Sequence, residues 1–338
     1  MRRRPVRRGG QVVAPERERG AALLTVLLLV AIVSILAATA LERLRLSTRL
    51  VGNAAAIEQG RAYANAAETL ALQRISRLLG ANPNRVTLAG DWSDRPFGLP
   101  LPGGGVATAR VTDGGGCFNL NGLVIRGEAA VLIANPVART QFARLMRLTG
   151  TPPQVAEQVA AGASDWIDSD DRTQPQGAED AAYLRGETPY RTAGTLMADP
   201  SELRAVAGVT PELYAGLRRW LCALPLAAPA TLNVNTLTPE QAPLVAMLFP
   251  DTLTVDLARQ ALLRRPPQGF DSPTQFLNAF SANGGVAPDN PGTFGITSRW
   301  FALRIDVALG DATVEEHALV DANRLPATLV SRQWGEQS

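Results

Sequence analysis

The longest apolar run in the chain lies near its N-terminus, at residues 21–41, and contains no charged side chain. At 1.5 Å per residue, this run forms a helix of roughly 31 Å, which matches the hydrocarbon core of a bilayer. The basic segment before it, residues 1–20, favours a cytoplasmic N-terminus by the positive-inside rule. No second run of this length follows, so the sequence predicts one membrane span with the rest of the chain exported.

The residues after the apolar run continue in a helical pattern. Residues 42–80 contain no proline and are rich in Ala, Leu, Arg, Glu and Gln, which favour helices. An apolar side chain recurs at every seventh position, at Leu50, Ile57, Ala64, Ala71 and Leu78. Gly80 and Pro83 then end the pattern. We therefore expect one helix of about 55–60 residues, with a transmembrane part, 21–41, and an exported part, 42–80.

Beyond this helix the periodicity changes twice. Within residues 81–134, short apolar runs are separated by turns, and the alternation over residues 106–112 predicts a strand. Residues 135–289 instead show the periodicity of helices. Residues 300–309 and 312–320 then alternate again and predict a β-hairpin.

The order strands, helices, strands indicates an α+β protein in which a helical domain is inserted into a β-sheet domain. On these boundaries, residues 81–134 and 290–325 form the sheet domain. Residues 135–289 form the inserted α-helical domain, and residues 326–338 form a C-terminal tail. The length of 338 residues is sufficient for two such domains.

The composition indicates a protein that is not an enzyme. The chain has one histidine, His317, and two cysteines. A catalytic triad built on histidine, or a metal site with several histidines, is therefore not expected. Any metal site would have to use oxygen ligands.

The net charge of +2 combines two unlike parts. Residues 1–20 carry seven arginines against two glutamates, a net charge of +5, and the rest carries 26 basic against 29 acidic side chains, a net charge of −3. An acidic exported part opposes binding to a polyanion. No nucleic-acid partner is expected.

The junction at Gly20 allows three interpretations. A secretory signal peptide has a shorter apolar region, and its possible cleavage triplet, residues 38–40, lies inside this run. A plain membrane anchor explains only the length of the run. A prepilin-type leader, cleaved after Gly20, explains in addition why a basic segment ending in glycine directly precedes the apolar helix. The local pattern favours the leader, with the anchor next.

A segment of the helical region is strongly acidic. Residues 165–180 contain six carboxylates and a single arginine, Arg172. The carboxylates are those of Asp165, Asp168, Asp170, Asp171, Glu179 and Asp180. Such crowding raises carboxylate pKa values unless a cation lies among them. Oxygen ligands without a neighbouring His or Cys favour Ca²⁺ over Zn²⁺. The segment is not an EF-hand, because Arg172 and Thr173 occupy the fifth and sixth loop positions. A calcium site and a solvated acidic loop both stay open.

The two cysteines, Cys117 and Cys222, lie in the exported part of the chain. An even number of cysteines in an oxidising compartment favours one disulfide. The bridge would close a loop of about 105 residues and connect the β-region to the helical insert. The alternative is a pair of buried free thiols.

Several segments carry a family resemblance. They are the Arg-Gly junction followed by AALLT, the string DWID…GAED…PYR…SELR between Asp165 and Arg204, and LNVNTLTP from Leu232. Together they resemble the general secretion pathway protein K family, the minor pseudopilins of type II secretion, from about residue 18 to 325. This implies a pilin-like fold, in which a long N-terminal helix packs on an antiparallel sheet and a large α-helical domain is inserted. It also implies Ca²⁺ bound by the acidic segment.

The resemblance further implies a processed N-terminus. Gly20 would precede the bond cut by the prepilin peptidase, and Ala21 would become the N-methylated first residue. The fifth mature position would be Thr25, where most pilin-like subunits have a glutamate that pairs with the terminal amine of a neighbouring subunit. The protein K family lacks this glutamate and caps the pseudopilus together with I- and J-type minor pseudopilins.

The expected protein is thus a single-pass protein of the inner membrane with a periplasmic globular part. It would form the tip of the pseudopilus and support export of folded proteins across the outer membrane.

An alternative function comes from residues 203–217 and 232–241, which resemble helix–hairpin–helix modules of membrane-anchored DNA-uptake receptors. Such modules bind phosphates through backbone N–H groups of a glycine-rich hairpin. Residues 248–250, Leu-Phe-Pro, stand where the glycine-rich turn is expected, and the exported part is acidic. DNA binding during uptake is therefore the alternative to the secretion function.

Overall fold

The computed structural model describes residues 16–102, 104–186, 188–251, 253–281, 287–310 and 312–335. The chain divides into an N-terminal unit, residues 1–59, and a C-terminal unit, residues 60–338. Most of the expected leader, residues 1–15, lies outside the described residues.

Helices and strands both contribute to the C-terminal unit. The helices are α1 (Glu16–Ala81), α2 (Pro136–Leu148), α3 (Pro153–Ile167), α4 (Asp180–Tyr183), α5 (Pro211–Leu217), α6 (Ala242–Ala246), α7 (Val255–Leu263) and α8 (Pro273–Ser281). The strands are β1 (Phe97–Pro100), β2 (Val106–Asp113), β3 (Phe118–Asn119), β4 (Val124–Arg126), β5 (Leu132–Ala134), β6 (Leu221–Cys222), β7 (Leu232–Asn233), β8 (Phe294–Gly295), β9 (Trp300–Leu309), β10 (Ala312–Asp321) and β11 (Thr328–Trp334).

The described part of the N-terminal unit, residues 16–59, is the first part of α1. This helix is continuous over 66 residues and ends at Ala81, which confirms the single long helix expected from the sequence and makes it longer than expected. Residues 20–55 are exposed. The segment from Gly20 to Ala81 is long and apolar enough to cross a membrane.

The C-terminal unit is built on a five-stranded antiparallel sheet with the strand order β1-β2-β9-β10-β11. The predicted hairpin is confirmed, since β9 pairs with β10 along its whole length. The last turns of α1 pack on one face of the sheet, where Ala64 and Ala67 are buried against Ala109. A Cβ atom at Gly60 would lie 2.8 Å from Val314 Cγ2. Small side chains therefore let α1 approach the sheet closely.

The expected C-terminal tail, residues 326–338, is corrected by the structure. Residues 328–334 form β11, the fifth strand of the sheet, and pair with β10 from Glu316 to Asp321. Most of its residues are exposed, so a buried apolar alternation did not mark this strand in the sequence. Pairing at the edge of an existing sheet, rather than burial, defines it.

The boundary of the inserted domain also differs from the prediction. Residues 118–134 contain short strands, but β3 pairs in parallel with β6, and β4 pairs with β5. Phe118, Leu120 and Leu132 belong to the large hydrophobic cluster of the helices. At the other end, Phe294 joins the same cluster. The insert therefore begins just after β2, at about Gly114, and extends through β8, because these strands pack on helices and not on the sheet.

The disulfide joins Cys117 and Cys222, with their Cα atoms 5.9 Å apart. Asn119 lies opposite Cys222 in the parallel pairing of β3 with β6. Both ends of the bridge thus lie within the insert. The disulfide therefore does not connect the sheet to the insert, as the sequence predicted. It connects two segments within the first half of the insert.

Buried asparagines, which sequence analysis missed, connect distant loops of the insert. Asn121 Nδ2 donates to the carbonyl oxygens of Met197 and Leu224, both at 2.9 Å, and its Oδ1 accepts from Met197 N at 2.8 Å. Asn235 makes the equivalent pair of bonds to Phe270. These side-chain amides thus form hydrogen bonds with backbone N–H and C=O groups of loops that lie outside helices and strand pairs.

A buried ion cluster lies between α1 and the sheet. Arg332 on β11 donates to Glu68 on α1 at 2.6 and 2.9 Å, and its Nε lies 3.3 Å from Glu316 on β10. Glu316 is fully buried, and neither of its carboxylate oxygens has a hydrogen-bond partner among the described residues. Burial and the adjacent Glu68 carboxylate raise the pKa of Glu316 to about 7, although the positive charge of Arg332 lowers it in part.

We predict that Glu316→Gln reduces the pH dependence of stability. Glu316 titrates near 4.5 when unfolded and near 7 when folded, so folding takes up a proton and stability falls as the pH rises from about 5 to about 8. The variant should be more stable than the wild type at pH 8, by roughly 1–3 kcal/mol, and similar to it at pH 5. Urea unfolding at both pH values measures this. Glu128→Gln, at an exposed position, is the control, and equal pH slopes for wild type and Glu316→Gln would contradict the prediction.

Candidate functional site

The acidic segment lies between two helices that hold its ends. α3 places Asp165 in its last turn, and Asp168 follows directly as the capping residue. At the other end, Glu179 caps α4 and Asp180 is the first residue of that helix. Trp166 and Tyr183 pack edge to face with ring centroids 5.5 Å apart, which joins the two ends of the segment. Helix ends and aromatic packing thus determine where these carboxylates lie.

Three of the six acidic side chains are buried together. Asp165, Asp168 and Glu179 expose 0, 2 and 5 % of their surface. Burial is the main cause that raises the pKa of Asp165 to about 6, and that of Asp168 and Glu179 each to about 7. Repulsion by the neighbouring carboxylates adds to the shift in all three. The cluster is therefore short of positive charge.

The hydrogen bonds of this cluster are incomplete. Asp165 accepts from the backbone N–H of Gln174, at 3.2 and 3.1 Å. Asp168 Oδ1 and both carboxylate oxygens of Glu179 have no partner among the described residues, although they are buried. The nearby guanidinium of Arg139 bonds to Gln174 and lowers the pKa of Asp165. Unpaired buried carboxylate oxygens match the donors that a hard cation prefers.

The other three acidic side chains are placed differently. Asp170 is exposed and accepts from the backbone N–H of Arg172 at 2.8 Å, and Asp171 is exposed as well. Asp180 accepts from Thr192 N at 2.9 Å and pairs with Arg191 at 2.6 Å. The hydrogen bonds to Thr192, followed by the Arg191 charge, lower the pKa of Asp180.

The predicted set of six therefore separates into a buried group of three and a peripheral group of three. In the part of the chain that the structure describes, no three His, Cys, Asp or Glu side chains are grouped closely enough to hold a metal ion as they stand. The residues fit a cation by their unpaired oxygens and mutual repulsion, and not by a preformed cage.

Gly177 also belongs to the site, although the sequence pattern indicated no role of its own for it. A Cβ atom at Gly177 would collide with the Asp165 carboxylate. The backbone N–H of Gly177 donates to Gln174 O at 2.8 Å, so the segment turns back over Asp165 at this point. The only sequence signal was the position of this glycine at the start of GAED.

The residues of the expected cleavage site lie within α1. Gly20 and Ala21 are helical and exposed. The hydroxyl of Thr25 donates to the carbonyl oxygen of Ala22 at 2.9 Å. Thr25 thus satisfies its own polar group inside the helix and carries no charge.

Comparison with known proteins identifies the family. Family models described as type II secretion system protein K match residues 116–226 and 232–297. The chain is 33 % identical to type II secretion system protein K of Pectobacterium carotovorum subsp. carotovorum, over 94 % of this chain and 97 % of that protein. It is 35 % identical to the protein of the same name from Klebsiella pneumoniae, with the same coverage. The chain belongs to the type II secretion system protein K family.

A solved structure of this family shares the fold. The crystal structure of the GspK-GspI-GspJ complex from the enterotoxigenic Escherichia coli type 2 secretion system contains a chain that is 29 % identical to this one. The TM-score is 0.70, and the match covers 83 % of this chain and 97 % of that chain. The α+β, pilin-like fold with an inserted helical domain is therefore confirmed.

The two protein K family models both lie in the insert, which identifies it as the part that is characteristic of this family. The first model begins at residue 116, next to the start of the insert after β2, and contains both cysteines and the acidic segment. The second begins at Leu232, the first residue of β7. A secretion pseudopilin family is structural, and its assignment removes the basis for the DNA-uptake alternative.

Proposed function

We propose that this chain is the minor pseudopilin at the tip of a type II secretion pseudopilus, where it joins I- and J-type minor pseudopilins and supports export of folded proteins across the outer membrane. The observation that carries the proposal is the similarity to a chain of a GspK-GspI-GspJ complex over 83 % of this chain. The long exposed helix α1 supplies the element through which pilin-like subunits pack beside one another.

Thr25 supports a position at the tip. If Ala21 is the first mature residue, Thr25 is the fifth, and its side chain has no charge to pair with the terminal amine of a further subunit. A buried ammonium group without a counter-charge is costly in an apolar environment. Addition of a subunit above this one is therefore disfavoured, and the inserted domain adds a steric obstacle to the same addition.

The N-terminal segment supports a processed protein of the inner membrane. The basic residues before Gly20 keep that end in the cytoplasm, and the apolar residues 21–41 span the bilayer. The globular part then lies in the periplasm. The prepilin peptidase would cut after Gly20 at the cytoplasmic edge and methylate the amine of Ala21.

We predict that Gly20→Ala leaves the leader attached. The prepilin interpretation places a glycine directly before the cut, so we expect a Cβ at this position to hinder cleavage. Mass spectrometry of the purified protein should show a methylated chain starting at Ala21 for the wild type and the full-length chain for the variant. Gly10→Ala, within the leader, is the matched control and should be processed. Normal processing of Gly20→Ala would refute the prepilin interpretation.

We further propose that the buried acidic group binds Ca²⁺. Asp168 and Glu179 would hold the ion through their unpaired oxygens, with Asp165 adjacent and with Asp170 and Asp171 as the remaining candidates. A bound Ca²⁺ supplies positive charge that offsets the repulsion among buried carboxylates. The family resemblance points to the same ion. By this account the ion stabilises the segment between α3 and α4.

Calcium should raise the melting temperature of the protein, and more so at pH 8 than at pH 5.5, because protons compete with the ion for Asp168 and Glu179. With calcium at about 100 times its Kd, we expect a rise of roughly 5–10 °C relative to EDTA. Gly177→Ala should reduce this rise, since its Cβ displaces Asp165. In Gly186→Ala the Cβ would lie 3.7 Å from Tyr183 O and 4.0 Å from the backbone of Thr188, which are ordinary contacts, so the rise should persist. Identical melting in calcium and EDTA at pH 8 would favour a solvated acidic loop.

The tip function predicts a stable assembly. The full chain, co-expressed with the I- and J-type subunits of the same bacterium, should elute with them as one complex in gel filtration. A strain without this chain should lose protein export and regain it with the wild type but not with Gly20→Ala. Elution of the chain alone, or undiminished export in its absence, would contradict the proposed function.

A further inference from the structure

The part of α1 that follows the membrane run carries three arginines. Arg43, Arg45 and Arg49 are exposed, and no ion pair joins any of them to an acidic group among the described residues. Glu42 is the single acidic residue between Gly20 and Glu58. Residues 42–57 therefore carry a net charge of +2, although the chain after residue 20 is acidic as a whole. Within residues 16–59, the described part of the N-terminal unit, no ion pair offsets this local excess of positive charge.

Apolar side chains alternate with these arginines. Leu44 and Leu46 expose 64 and 60 % of their surface, and Leu50 and Val51 expose 62 and 67 %. Residues 42–51 thus combine long cationic side chains with aliphatic ones, a composition suited to the boundary between lipid acyl chains and headgroups. Arginine places its guanidinium in the headgroup layer while its stem lies along the apolar region.

The positions of the three arginines along α1 match one headgroup layer of the bilayer. Arg43 is the first basic residue after the uncharged run, about 33 Å along the axis from Ala21. The distance matches the hydrocarbon core, so the guanidinium of Arg43 reaches the far headgroup layer when residues 21–41 span it. Arg49 lies about 9 Å further on, which is comparable to the thickness of that layer.

The distribution around the helix favours lipid over protein as the partner. Arg45 and Arg49 are four residues apart and lie on one face of α1, whereas Arg43 lies on the opposite side. The exposed leucines are likewise spread around the axis. A single protein partner would contact one face of the helix, whereas headgroups surround an unassembled helix on all sides.

We propose that Arg43, Arg45 and Arg49 form a binding site for anionic phospholipid headgroups that holds α1 at a defined depth in the membrane. The site goes beyond the tip function, and it rests on the proposed membrane span. It does not depend on cleavage after Gly20. Before assembly, it would keep residues 42–51 in the interface; on assembly, those lipid contacts would be exchanged for contacts with neighbouring helices.

The test measures lipid selectivity of the full chain. The protein is placed in nanodiscs of equimolar phosphatidylglycerol and phosphatidylcholine, released in mild detergent, and its bound lipids are counted by native mass spectrometry. One basic residue near a charged surface contributes about fivefold, so the wild type should retain phosphatidylglycerol over phosphatidylcholine by at least about fivefold. The ratio should fall towards one in Arg43→Gln/Arg45→Gln/Arg49→Gln and at high salt.

Two variants act as controls. Arg43→Lys/Arg45→Lys/Arg49→Lys keeps the charge and should keep the selectivity. Arg126→Gln/Arg264→Gln/Arg324→Gln removes the same charge from exposed positions of the globular part and should leave the ratio unchanged. An unchanged ratio in the Arg43/Arg45/Arg49 glutamine variant would overturn the proposal, as would its loss in either control. If that variant kept the ratio but failed to assemble with I- and J-type subunits, the arginines would belong to a protein interface.

A separate measurement distinguishes failure of this site from failure of the membrane span. All variants should stay with the membrane fraction after washing at alkaline pH, since residues 21–41 are intact. Release of the wild-type protein from the membrane would refute the proposed span, and it would refute the lipid site as well.

Discussion

The fold of the C-terminal unit depends on the close packing of α1 against the five-stranded sheet. Ala64, Ala67 and Ala71 are fully buried, and Gly60 lies where a Cβ would press on Val314. Larger side chains at these positions would push the helix off the sheet and open the core that contains Phe301. The sheet in turn supplies the two strands, β2 and β9, between which the whole insert is placed.

Among the described residues, carboxylates with raised pKa values lie at three places, and their hydrogen-bond and charge partners differ. Asp113 accepts from Ser298 and Thr236, and hydrogen bonds there oppose the effect of burial on its pKa. Glu316 shares Arg332 with Glu68 between the helix and the sheet. In the group of Asp165, Asp168 and Glu179, several carboxylate oxygens have no hydrogen-bond donor among the described residues, and no arginine forms an ion pair with them there. That difference is the physical reason why the proposed Ca²⁺ site lies in the acidic segment and not at the other two places.

Particular residues show how far the sequence could predict the fold and the site. The uncharged residues 21–41 and the proline-free residues 42–80 predicted α1, because helix formation is local and leaves a periodic record. The boundary of the insert at residue 135 was wrong, because Phe118 and Leu132 alternate as in any strand, and alternation does not say which sheet or helix a strand contacts. β11 was missed for a related reason, since its exposed residues carry no burial pattern.

The amino-acid sequence by itself determined the membrane-length helix, the acidic segment, the cysteine pair and the family. The helix, the acidic segment and the family motifs are recorded in residues close together in the sequence, and the cysteine pair follows from an even number of cysteines. Only the tertiary structure decided that Asp165, Asp168 and Glu179 are buried together while Asp180 is paired with Arg191, and that Glu316 meets Arg332 and Glu68 from two other elements. Burial and pairing depend on chain segments far apart in sequence, so composition and spacing alone do not determine them.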